Sequence, residues 1–73
     1  MQRFAHDNLK ERRTELGLSQ THVAFAIGRS FETYRLYEQG KYAPNAKVLP
    51  ALANALDCRV EDFFTEVETD GQA

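Results

Sequence analysis

Cysteine is almost missing from this chain. Cys58 stands alone among 73 residues, so no internal disulfide can form, and no Cys/His spacing of a zinc module accompanies it. A reducing, cytoplasmic compartment is therefore expected. Long apolar runs are missing as well: none approaches the ~18 residues of a membrane span. The opening MQRFAHDNLKERR carries no apolar stretch of the kind that directs secretion, so a soluble protein with no membrane partner is expected. His6 and His22 have no companions that would hold a metal, and a chain this small is not expected to enclose a cofactor. No nucleophile with a base, paired acidic cleft or phosphate loop is visible, which argues against an enzyme. Neither an internal repeat nor a strand-like alternation shows.

An excess of positive charge is the last absence. The net charge is −2, yet it is unevenly spread: residues 1–56 carry eight Lys/Arg and five Asp/Glu, whereas residues 57–73 carry Arg59 against six acidic residues. The first part is thus +3 and the second −5. Screening over ~8 to 10 Å hides a remote acidic tail from a local patch. The overall sign therefore does not exclude a polyanionic partner.

What is present is helical punctuation. A chain of this length holds one domain and buries only ~60% of its unfolded surface, and the expected division is a single domain over residues 1–68 with a flexible tail over 69–73. Leu9 and Leu16, flanked by Phe4 and Arg13, predict a first helix from about Arg3 to Leu16, ended by Gly17. Ser19 is placed as the N-cap of a second helix carrying Val23, Ala24 and Ile27, which Gly28 stops. Ser30 repeats the capping signal for a third helix, Phe31 to Gln39, whose inward set is Tyr34, Tyr37 and Glu38 and whose stop is Gly40. After the loop KYAPN, with Asn45 as cap, a fourth helix buries Leu49, Leu52, Ala53 and Leu56, tolerates Pro50 in its first turn, and closes at Asp57. Val60, Phe63, Phe64 and Val67 suggest a fifth short helix. The expected fold is all-α: a compact bundle of five short helices.

Two helices crossing steeply through a tight turn need a small residue where their backbones approach, a flexible one at the turn, and bulk where the second helix faces the core. Ala24, Gly28, Tyr34 and Tyr37 supply these in order between two serine caps. Here the chain resembles the phage-repressor or Cro-like helix-turn-helix regulators, the XRE family. The resemblance rests on LKERRTELGLSQ, the Ala24 and Gly28 pair, YEQGKYAP and LPALANALDCRVEDFF, and covers Leu9 to about Phe64. It implies a lambda-repressor-like domain that binds double-stranded operator DNA as a homodimer and regulates transcription, with the third helix in the major groove. Repression is the expected role, because no added ligand-sensing or polymerase-recruiting domain is visible.

Carried over residue by residue, the resemblance makes Gln20 a phosphate contact at the start of the second helix, and Arg13 with Glu38 an ion pair between helices one and three. The inward position of Glu38 agrees, since a buried carboxylate without a partner costs several kcal/mol. The loop residues Lys41 and Tyr42 are also implied phosphate contacts. Arg29 in the turn reads as a phosphate anchor, and Ser30 and Gln39, at the two ends of the third helix, are grouped with these. The candidate base contacts are Phe31, Glu32, Thr33, Arg35 and Leu36. Relatives generally carry Gln, Ser, Arg or Lys at several of these places, so Phe31, Glu32 and Leu36 are departures. A phenyl ring or leucine can cover a thymine methyl, a carboxylate can accept from the cytosine amino group, and the Arg35 fork can span guanine. The competing reading of Arg35 is a surface charge paired with Glu32 or Glu38. Phe63, Phe64 and Val67 are the candidate dimer interface. A second reading of the whole chain is a protein-interaction module, such as an antitoxin or partner-dependent factor, docking a protein partner on the altered third-helix face.

Overall fold

A computed structural model describes residues 2–66. Four α-helices build the body: α1 His6–Glu15, α2 Gln20–Ala26, α3 Phe31–Gln39 and α4 Val48–Ala55. The expected fifth helix is instead a single 3₁₀ turn, Val60–Phe63, running straight into a strand, Phe64–Glu66, here β2. That strand pairs antiparallel with β1, Gln2–Phe4, in the register Gln2 to Glu66, Arg3 to Thr65 and Phe4 to Phe64. The sequence predicts no strand and a first helix beginning at about Arg3. Both expectations are corrected by this pairing, because the residues before His6 are extended along β2. Three-residue strands are too short to display an alternation, and their partner lies at the far end of the described chain. Rings secure the junction: Phe4 stands edge-on to Phe64 at 5.9 Å and tilted to Phe63 at 6.4 Å.

The helix ends follow the local signals. Gly17 (φ 72°) and Gly28 (φ 71°) take the left-handed conformation that stops α1 and α2. Leu18 N–H returns to the Arg13 carbonyl at 3.1 Å and Arg29 N–H to the Ala24 carbonyl at 3.0 Å. Ser19 Oγ accepts from His22 N–H and Ser30 Oγ from Thr33 N–H, each capping the helix that follows. Asn45 Oδ1 accepts from the Lys47 and Val48 amides ahead of α4. Asp57 (φ 51°) closes α4 in a conformation that usually calls for glycine. The carbonyls there find a partner from α1, since Arg12 donates to Leu56 O at 2.8 Å and Asp57 O at 2.9 Å.

Leu9 from α1, Val23 and Ala24 from α2, Tyr34 and Tyr37 from α3, and Val48, Leu52, Ala53 and Leu56 from the α4 region form one core closed by Phe63. The apolar stripe of α4 begins at Val48; Leu49 is only partly buried. Phe63 is 1% exposed, so it has no surface to offer a second chain, and its assignment to a dimer interface is corrected. Phe64 is half-buried. Val67, the end of the expected domain at 68 and the tail 69–73 lie outside the described residues. No helix among the described residues is long and apolar enough to cross a membrane.

Candidate nucleic-acid interface

The third helix has one locked face and one open face. On the locked side, the carboxylate of Glu38 collects four hydrogen bonds from three helices. Arg13 donates through Nε to Oε2 at 2.5 Å and through Nη2 to Oε1 at 3.2 Å, Gln20 Nε2 donates to Oε1 at 2.9 Å, and the Tyr34 hydroxyl donates to Oε2 at 2.5 Å. The side chains of Arg13 and Glu38 are 11% and 2% exposed. Burial alone would raise the Glu38 carboxyl, but the bonds from Arg13, Tyr34 and Gln20 outweigh it and hold the carboxyl below its ordinary range. The same bond holds the Arg13 guanidinium protonated beyond its usual range. Burial and then the neighbouring carboxylate push the Tyr34 hydroxyl well above the ordinary tyrosine value, so it remains a donor. The helix is therefore fixed in rotation by a charge-assisted network as well as by its two buried tyrosines.

One expected position looks different once its bonds are seen. Gln20 gives one amide N–H to Glu38, and a carboxamide has two. The second makes no hydrogen bond among the described residues. His6 also joins this region, which the sequence reading did not find. Its Nδ1–H donates to the Glu38 carbonyl at 3.0 Å, and its ring lies over Gly40 (φ 78°), where a Cβ would come within 2.7 Å of it. No local signal could have shown a contact between residues so far apart in the chain.

The open face carries the remaining candidates. Phe31 is 44% exposed at the leading end of α3, Gln39 is exposed at its other end, and Thr33, Arg35 and Leu36 are half-exposed. Ser30 Oγ donates to Thr33 Oγ1 at 3.0 Å. Arg35 is paired with Glu32, one turn back, through Nε to Oε1 at 3.1 Å and Nη2 to Oε1 at 2.6 Å and Oε2 at 2.9 Å. Arg29 in the turn and Lys41 and Tyr42 after α3 are exposed, and among the described residues neither cation is in an ion pair. Cations flank the open face at both ends. Two acidic residues of the second part, Asp57 and Asp62, border a groove of about 560 Å³ with Glu11, Glu15 and Cys58, and no residue of α2 or α3 lines it. Cys58 is half-buried there, its thiol pushed up first by that burial and then by Asp62. Among the described residues no group of His, Cys, Asp and Glu is placed to hold a metal ion.

A capped helix, a glycine turn and a second helix locked on one side and open on the other define a helix-turn-helix module. Residues 9–63 match the family described as "Helix-turn-helix". An uncharacterized HTH-type transcriptional regulator of Archaeoglobus fulgidus is 32% identical over 56 residues, covering 77% of this chain and 80% of that protein. Among solved structures, the P22 c2 repressor in complex with a synthetic operator is similar at a TM-score of 0.75 and 25% identity, covering 81% of this chain and 89% of that one. The restriction-modification controller protein C.AhdI from Aeromonas hydrophila is similar at a TM-score of 0.76 and 31% identity, covering 80% and 88%. The chain belongs to the XRE-type helix-turn-helix family, and the curated relatives it matches are named transcriptional regulators.

Proposed function

We propose that this protein is a sequence-specific DNA-binding regulator that places α3 in the major groove of an inverted-repeat operator as a homodimer, and that it represses transcription. The observation that carries this reading is the two-sided character of α3. Its inner face is pinned by Glu38 to α1 and α2, while Phe31, Glu32, Arg35 and Gln39 face outward between the exposed cations Arg29 and Lys41. Phe31, Thr33, Arg35 and Leu36 are the base-contacting set, and Glu32 stands among them with its carboxylate bonded to Arg35. Gln20, Arg29, Ser30, Gln39, Lys41 and Tyr42 hold the sugar-phosphate chain. The likeness to a repressor bound to its operator supports the same docking here.

A twofold pair of such domains presents two leading ends to successive major-groove faces, ~34 to 36 Å apart, and reads an inverted repeat. Phe64, half-buried beside Phe4, keeps exposed surface for such a contact. Repression then follows from occupancy, since a domain seated over a promoter excludes other proteins from it. The test is titration of a random duplex pool at several salt concentrations, with Arg29→Ala and Lys41→Ala alongside. Each cation that contacts phosphate should reduce the salt slope by about one unit per contact. Absence of binding at low salt would refute the DNA reading and favour a protein-docking role.

A further inference from the structure

The Glu32–Arg35 pair is not explained by stability. Their side chains are 65% and 38% exposed, and pairs of this kind contribute little to a folded state. Its geometry is specific nonetheless. Arg35 uses Nε–H and an Nη2–H toward Glu32, which is one edge of the planar guanidinium. The other edge, made by one N–H from each terminal nitrogen, is left open, and a two-N–H edge of this kind matches O6 and N7 of guanine. Side chains on a helix lean toward its N-terminus. Reaching back to Glu32 therefore carries the guanidinium of Arg35 toward the leading end of α3.

We infer that Glu32 is a positioning residue: it holds Arg35 so that the free edge of the fork reads one guanine in each half-site. This rests on the DNA-binding reading above. Glu32 also sets a second condition on binding. Its charge opposes nearby phosphates, so Arg35 is kept from spending its fork on the backbone, where contacts carry no sequence information. Arg35 is then the reader and Glu32 its support.

The test is selection of bound duplexes from a random pool by the full chain and by Glu32→Ala, Glu32→Gln, Arg35→Ala and Arg35→Lys, followed by measured binding to the selected site and to the three other bases at the guanine position. Thermal melts show that each variant is folded. Wild type should prefer guanine there by roughly 5- to 140-fold, the range of one bidentate arginine contact. Arg35→Ala and Arg35→Lys should lose that preference. Glu32→Ala should bring it below about threefold while binding at other positions stays selective and overall affinity rises. Glu32→Gln, which keeps an acceptor for Nε–H, should stay within about threefold of wild type. If wild type enriches no site at any salt, DNA reading fails and this inference falls with it. If wild type selects a site but Glu32→Ala or Arg35→Ala keeps the full guanine preference, the positioning role alone is overturned.

Discussion

Four hydrogen bonds converge on the Glu38 carboxylate where α1, α2 and α3 meet, and its chemistry sets how the domain responds to acid. The folded carboxyl titrates below its ordinary range. A depressed folded value means the contribution is fully present above the unfolded glutamate value of ~4.3 and is lost as pH falls through the folded one. Wild type should therefore lose stability below about pH 4.3, and Glu38→Gln should show a flatter acid limb in urea melts across pH 3 to 7. An identical acid limb in both would contradict this. The same substitution leaves the mostly buried Arg13 side chain without its counter-charge, at a cost of about 3 to 5 kcal/mol. A domain of this size has only about 4 to 11 kcal/mol in total, so the urea midpoint should drop steeply. That Glu38 faces inward was legible from its spacing with Tyr34. Its bond to Gln20 and the seat of His6 over Gly40 were not, because they join residues 18 and 34 positions apart through the fold.

Among the elements, α3 was the most legible and the chain ends the least. Ser30 and Gly40 are local signals that act within one turn of backbone, and the helix between them runs over Phe31–Gln39 as expected. β1 and β2 exist only because each pairs with the other, and neither has enough residues to show a period. The 3₁₀ turn has the same cause: Phe63 enters the core and Phe64 must then extend to meet Phe4. Two substitutions probe how α3 is held. Ser30→Ala removes the oxygen that accepts from Thr33 N–H and should cost about 1 kcal/mol in thermal or urea melts. Gly40→Ala places a methyl in a left-handed residue and against the His6 ring at 2.7 Å. It should cost at least 1 to 2 kcal/mol, the usual order for a left-handed residue with a side chain. Adding His6→Ala should restore the steric share and leave the backbone share, and a double variant no more stable than Gly40→Ala would show that the ring is not the obstacle.

For the whole molecule, composition misleads where patterning informs. The net charge of −2 conceals a positive first part, and the fold keeps Asp57 and Asp62 around a groove to which α2 and α3 contribute nothing. The helix-turn-helix class was readable because small, flexible and bulky residues must fall at fixed places between the caps. The internal pairing of Glu32 with Arg35 was only one of two readings, since spacing allowed it without requiring it. If two domains read one operator, half-sites centred 10 to 10.5 base pairs apart should bind more tightly than the same half-sites moved by about five, which turns one of them to the opposite side of the duplex. Equal affinity at both spacings would contradict paired binding. The outward face of α3 is tested most directly by following backbone amide resonances as the selected duplex is added. The largest shifts should fall at Gln20, from Arg29 to Leu36, and from Gln39 to Tyr42. Shifts confined to the outer face of α1 or to residues 57–66, with α3 unmoved at saturation, would contradict the reading of α3 as the element that enters DNA.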